Sequence, residues 1–376
     1  MLSRKGNVRV CATVFLLASM LLLLQSSPRR ARAQEQQQPP PPSPTPPLKR
    51  MRRVKNQPPK QTPPQSQTTQ TQSNADDDVV RVETDLANIL LTAIDKDKRF
   101  ITTLRKEDVR VLEDNQPQEI SDFERETDLP LSLAILIDTS RSQEKVLSDE
   151  KIAAHTFIDS VIHPDKDQAA IISFTGEAVL QQTLTGDLDK LRSAAENVII
   201  EIPFGDPRCE ENVSLEREPR CWTGVWDSIW VTVNEVLSQT PQHTRRAIIL
   251  LSDGDDTSSQ TDKQEAIDFA VKNDVVIYSI GIHDKDTEGK LADGALRKVS
   301  EKTGGRVFFP QNKAELDAAF AQIQQELRSQ YLISYTPSNR KRDGTFRQVK
   351  IEITNPELRK EKLRLLYRQG YYAKKG

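Results

Sequence analysis

The stretch Leu131 to Ser142, LSLAILIDTSRS, constrains this chain more than any other. A run of almost uninterrupted apolar residues follows Pro130 and ends abruptly in Asp138. An apolar run of that length, rich in branched residues, predicts a strand buried on both faces, as in parallel sheets covered by helices. Oxygen-bearing side chains then follow at Asp138, Ser140 and Ser142. In an open α/β sheet the carboxyl ends of the strands are where ligands sit. A carboxylate with two hydroxyls suits a hard cation such as Mg²⁺ or Ca²⁺, which takes oxygen ligands and tolerates water among them. The alternative is that Ser140 and Ser142 only cap the following helix.

Downstream the pattern alternates. Val146, Ile152, Ala153, Phe157 and Val161 fall at helical spacing and predict a helix over 145–162. Strands are expected over 169–174, 178–184 (an edge strand), 247–251, 275–280 and 306–309. Helices are expected over 187–198, 223–237, 264–272, 291–300 and 314–327. Strand and helix in turn predict an α/β fold: a doubly wound, mainly parallel sheet with helices on both faces.

The flanks read differently. Residues 77–128 and 330–376 carry short alternating strands, with Asp114-Asn115 and Asp343-Gly344 as turn signals. Some fifty residues make a marginal core alone. The two flanks are therefore expected to fold together as one small β-sandwich, with the central domain, 129–329, inserted between them. Two separate β appendages are the alternative.

The first residues form a leader. Arg4, Lys5 and Arg9 precede the uncharged run Val10 to Leu24, and Ala31-Arg32-Ala33 gives a cleavage signal. Residues 1–33 are read as a signal peptide and the protein as exported, periplasmic or extracellular, with no stable membrane span after cleavage. An uncleaved anchor is the alternative. Residues 34–76, rich in Pro and Gln, cannot bury enough surface to offset their ordering entropy and are expected to form a disordered tether. The formal net charge is -2, with both signs interspersed beyond the basic first sixty or so positions, so no nucleic-acid partner is expected.

A second apolar strand ends in Asp253-Gly254, and Thr223-Gly224 opens a helix after a long polar loop. Together with Asp138-x-Ser140-x-Ser142, these residues resemble the metal-ion-dependent adhesion site of von Willebrand factor type A domains. The match runs over about two hundred residues in the expected order. The wider layout also resembles a bacterial group of secreted proteins with such a domain, through Glu113 to Gln118, Gln330 to Tyr335 and Gly370-Tyr371-Tyr372. The resemblance implies that Ser140 and Ser142 bind a divalent ion directly and Thr223 directly or through water. Asp138 and Asp253 would act at the ion, often through water. The ion would be Mg²⁺, with Mn²⁺ or Ca²⁺ as alternatives. A last position would be left for an Asp or Glu carboxylate of a protein partner.

Cys209 and Cys221 bracket the loop before Thr223. In an exported chain they are expected to pair, closing a short loop worth on the order of 3 kcal/mol. Trp226 and Trp230, four apart, are expected on one helix face, packed in the core rather than forming a binding surface. Asp255 and Asp256 read as a solvated acidic loop. Three functions compete. The first is an exported metal-dependent protein-binding module, not an enzyme. The second is a structural envelope protein with a vestigial site. The third is a phosphatase-like enzyme with an Asp nucleophile at 138, but that chemistry wants an Asp where Ser140 stands.

Overall fold

The computed structural model describes residues 49–51, 86–97, 99–125, 129–201, 222–241, 244–282 and 290–375. The leader, nearly all of the tether and the Cys209–Cys221 pair lie outside the described residues. The described strands and helices all fall within one contiguous unit, Pro47–Gly376.

In chain order the elements begin with β1 (Lys49–Met51) and the first flank: β2 (Ala87–Ile94), β3 (Val109–Glu113), β4 (Gln116–Gln118) and β5 (Ile120–Arg125). The central region runs β6 (Leu131–Asp138), α1 (Leu147–Val161), β7 (Gln168–Phe174), β8 (Ala178–Thr185), α2 (Leu188–Glu196), α3 (Val225–Glu235), β9 (Arg245–Ser252), α4 (Lys263–Lys272), β10 (Val275–Gly281), α5 (Lys290–Thr303), β11 (Val307–Phe308) and α6 (Lys313–Leu327). The second flank holds β12 (Tyr331–Tyr335), β13 (Phe346–Ile353), α7 (Pro356–Lys360), β14 (Arg364–Tyr367) and β15 (Gly370–Tyr372).

The central sheet has the order β1-β8-β7-β6-β9-β10-β11. Strand β6 sits in the middle, parallel to both β7 and β9, and every one of its residues is buried. Successive side chains of a strand point to opposite faces. Accordingly Ala134 and Leu136 join the core on one side of the sheet, and Leu133, Ile135 and Ile137 join the core on the other. This is why the run is almost entirely apolar. Trp226 and Trp230 pack in the first of these cores, so their spacing reports packing.

The flanks interleave. One four-stranded sheet is ordered β14-β2-β12-β5 and the other β15-β13-β3-β4, so each draws strands from both ends of the chain. Ile89 lies opposite Ile333 in the first sheet and Val111 opposite Ile351 in the second, and all four share one apolar core. The buried carboxylate of Glu113 accepts the Tyr335 hydroxyl at 2.9 Å and the Tyr371 hydroxyl at 2.8 Å, tying strands of the two sheets together. The buried Arg245 guanidinium donates to the carbonyls of Leu129 and Leu327, where the chain enters and leaves the central domain.

One detail differs from expectation. Within the segment read as a disordered tether, Lys49–Met51 forms a strand against β8, which is therefore not the sheet edge. At the end of the second flank, β14 and β15 lie close in sequence but pair in different sheets.

The shared core makes a checkable demand. Ile333 is fully buried, and Ile333→Ala is expected to cost about 2–5 kcal/mol. Hydrogen exchange should then accelerate in β2, which precedes the central domain, more than in β6 and β9. Unchanged exchange in β2 would mean that the flanks do not share a cooperative unit.

Candidate metal centre

The carboxyl ends of β6, β7 and β9 form one rim of the central sheet, and the sequence-predicted donors gather there. Asp138, the last residue of β6, is wholly buried. Its Oδ1 accepts the Ser140 amide at 2.9 Å and its Oδ2 accepts the Ser252 hydroxyl at 2.6 Å. A short 3-10 turn, Arg141–Gln143, then carries Ser142 back over the rim. The Ser140 hydroxyl lies 3.0 Å from that of Ser142, and the Ser142 hydroxyl donates to Asp253 Oδ2 at 2.6 Å. Residues far apart in the chain thus form one oxygen-lined cluster of Asp138, Ser140, Ser142, Ser252 and Asp253.

The capping alternative is not what the serines do. Ser140 stands at the N-cap of the 3-10 turn without a side-chain capping bond, and α1 begins after Val146, also uncapped. The hydroxyls face each other and Asp253 instead.

Thr223 arrives on a third rim segment. Its amide donates to the Thr257 hydroxyl at 2.8 Å, and its carbonyl accepts the Thr257 and Ser258 amides at 2.9 and 3.1 Å. Next to it, the Gly224 amide donates to the Thr175 carbonyl at 2.6 Å, one residue beyond β7. A Cβ at Gly224 would sit 3.1 Å from the Gly176 carbonyl oxygen, so a glycine suits this close approach. Phe174, the last residue of β7, is the register partner of Asp138. Backbone bonds therefore hold Thr223 on the same rim as the other four.

Sequence reasoning missed four contributors. Gln143, fully buried, donates its Nε2 to Asp253 Oδ2 at 3.0 Å and to the Ser142 hydroxyl at 3.2 Å. Ser252 holds Asp138. Asp256 is not merely solvated, as its loop was expected to be: its Oδ1 accepts the Val225 amide at 2.7 Å, at the start of α3. Glu150 on α1 is fully buried, and neither of its oxygens has a hydrogen-bond partner among the described residues. Sequence adjacency to Ser142 and Asp253 could have flagged Gln143 and Ser252. Asp256 and Glu150 carry no local signal, because their neighbours are distant in the chain.

The electrostatics are those of an anionic cluster. Burial foremost, and then the Asp253 carboxylate, raise the Asp138 carboxyl above the ordinary carboxylate range. Burial, followed by Asp138 and Asp253, likewise holds the Glu150 carboxyl well above the ordinary range. Among the described residues neither Asp138 nor Asp253 is ion-paired with Lys or Arg. Nor do three His, Cys, Asp or Glu side chains among them converge on one point, so a cation here would draw on hydroxyls and water as well as carboxylates. That donor chemistry fits a hard divalent ion.

The sequence model of the von Willebrand factor type A domain matches residues 222–324. The matched residues lie in the mainly parallel α/β sheet region, which β-rich segments flank. Solved structures with similarity include the conserved hypothetical protein BatB from Bacteroides thetaiotaomicron, 19% identical over 53% of this chain and 100% of that one, with a TM-score of 0.40. A von Willebrand factor type A protein from Catenulispora acidiphila is 14% identical over 77% of this chain and 73% of that one, with a TM-score of 0.43. Proximal thread matrix protein 1 from the mussel byssus, solved with a zinc-occupied MIDAS motif, is 13% identical over 54% of this chain and 49% of that one, with a TM-score of 0.42. No match was found among curated proteins.

Gly254 tests how tightly the rim is built. It adopts φ +80°, and a Cβ there would lie 2.7 Å from Leu296 Cγ. Gly254→Ala is expected to lower stability by about 1–3 kcal/mol, measured by urea unfolding. An unchanged midpoint would show that the turn after Asp253 relaxes freely.

Proposed function

We propose that Asp138, Ser140, Ser142, Thr223 and Asp253 hold a divalent cation, Mg²⁺ first and Mn²⁺ or Ca²⁺ as alternatives. Through it the domain binds a protein partner that offers an Asp or Glu carboxylate. The observation that carries this reading is the hydrogen-bonded chain from Ser140 through Ser142 to Asp253, beside a buried Asp138 without a cationic partner among the described residues. The match to a family of interaction domains supports it.

The site is graded from floor to mouth. Asp138, Ser140 and Thr223 are buried, whereas Ser142 is exposed. A cation resting on the buried donors would keep an outward coordination position, where water can be exchanged for a carboxylate. Two aspartates balance the charge of one divalent ion, and the hydroxyls add donors without adding charge. When bound, the ion would supply a Lewis-acidic anchor; Gln143 and Ser252 would keep the aspartates oriented. Export of the chain with cleavage of residues 1–33, and a Cys209–Cys221 disulfide beside Thr223, belong to the same proposal. No helix among the described residues is long and apolar enough to cross a membrane.

Calorimetric titration of the purified protein with Mn²⁺ tests the site. Binding is expected in the wild type and at least about tenfold weaker in Asp253→Ala and Ser142→Ala, each of which removes a donor. Absence of binding in the wild type would leave a vestigial site.

The pH dependence has a definite sign. The raised carboxyl of Asp138 retains its proton to higher pH than an ordinary carboxylate, and an incoming cation must displace that proton. Apparent affinity should therefore increase as pH rises through neutrality, with proton release visible as a dependence of the binding heat on buffer ionisation enthalpy. Affinity that is flat with pH, without proton release, would contradict this account.

A further inference from the structure

Strand β1 is three residues long and comes from far outside the central domain. It lies antiparallel on β8, with Lys49 opposite Leu180, Arg50 opposite Val179 and Met51 opposite Ala178. Met51 is only 3% exposed and enters the same apolar core as Ala178, Leu180 and Trp230. Lys49 Nζ lies 3.3 Å from Glu235 on α3, and Arg50 lies 3.9 Å from Glu177, just before β8. Backbone pairing, one apolar anchor and two matched charges are the elements of recognition by strand addition, in which main-chain bonds supply affinity and side-chain pockets supply specificity.

We propose that the outer edge of β8 is a strand-accepting peptide site. It takes an extended segment with two adjacent basic residues followed by a long apolar one, and this chain holds it closed with its own Lys49–Met51. The central domain leaves this edge unpaired: without β1, β8 would present a row of open backbone N–H and C=O groups, the feature that invites another strand. The contacts that hold β1 are few. Its ion pairs involve the exposed side chains of Lys49 and Arg50 (57% and 72% accessible), and pairs of that kind contribute little. The segment belongs to the same chain, so its docking is intramolecular and a free peptide must compete with it. A partner segment of the same pattern gains access when the strap is displaced.

The site also borders the metal rim. Met51 pairs with Ala178, Ala178 with Phe174, and Phe174 with Asp138, so all four stand in one row across the sheet. Three strand spacings separate Met51 from Asp138, roughly 14 Å. A strand docked on β8 runs toward that rim. The inference does not depend on a cation being bound there.

The test uses the full chain and a fluorescein-labelled peptide with the sequence of residues 46–55, PPLKRMRRVK. Binding is read by fluorescence anisotropy. Met51→Glu removes the apolar anchor from the strap, and the double variant Lys49→Glu/Arg50→Glu sets like charges against Glu235 and Glu177, a repulsion rather than the loss of two weak pairs, without touching the core. Both variants are expected to bind the peptide on the order of tenfold or more tightly than the wild type, whose own segment competes. A shuffled peptide of equal charge with the Met moved should bind none of them. Hydrogen exchange in β8 should rise in both variants and fall again when the matched peptide is added. Equal affinity for wild type and variants, equal binding of matched and shuffled peptides, or β8 amides that the peptide does not protect would each overturn the proposal.

Discussion

A carboxylate buried at the end of a buried strand is the constraint on which the functional half of this structure depends. Asp138 cannot be left without partners there, because an unsatisfied charged group in the interior costs several kcal/mol. Its two oxygens are held by the Ser140 amide and the Ser252 hydroxyl. Those bonds fix the course of the chain after β6 and bring the end of β9 alongside. The exposed Ser142 and the half-buried Asp253 then meet as a consequence, and Gln143 braces both. Among the described residues no Lys or Arg ion-pairs with either aspartate, so no side-chain cation offsets the cluster. The divalent ion of the proposed function would meet that need and would draw on hydroxyls as well as carboxylates.

The β-rich flanks answer a different need. Neither end of the chain has enough residues for an independent core, and pairing strands from the two ends pools their apolar faces. The buried Arg245 then ties the carbonyls of Leu129 and Leu327, the points at which the chain passes between the two cores. Glu113 performs a related task inside the sandwich, since one carboxylate receives hydroxyls from Tyr335 and Tyr371. Both are polar groups whose burial is tolerated because their partners come from elements distant in sequence.

The edges of the central sheet are managed unequally. On one side β11 is only two residues long, which limits what can pair with it. On the other, β8 is long and is covered by a three-residue strand borrowed from a Pro-rich segment. Composition leads to the expectation that this segment builds no core of its own. It could not reveal that Met51 would find a place in somebody else's.

The sequence by itself determined the class of fold, because an almost wholly apolar strand calls for cover on both faces and the later strands repeat that pattern. It also determined the candidate donors, since Asp138, Ser140 and Ser142 follow one another within a few residues and Asp253 ends an equivalent strand. Only the tertiary structure decided what those residues meet. The Ser142–Asp253 bond, the bracing by Gln143, the Asp256 contact to α3 and the carboxyl of Glu150, unpartnered among the described residues, all join segments with no local pattern in common. The same holds for β1 on β8 and for the union of the two flanks. Periodicity records which face of an element is buried; it does not record which other element buries it, because that choice is made by packing and hydrogen bonding between parts of the chain far apart in sequence.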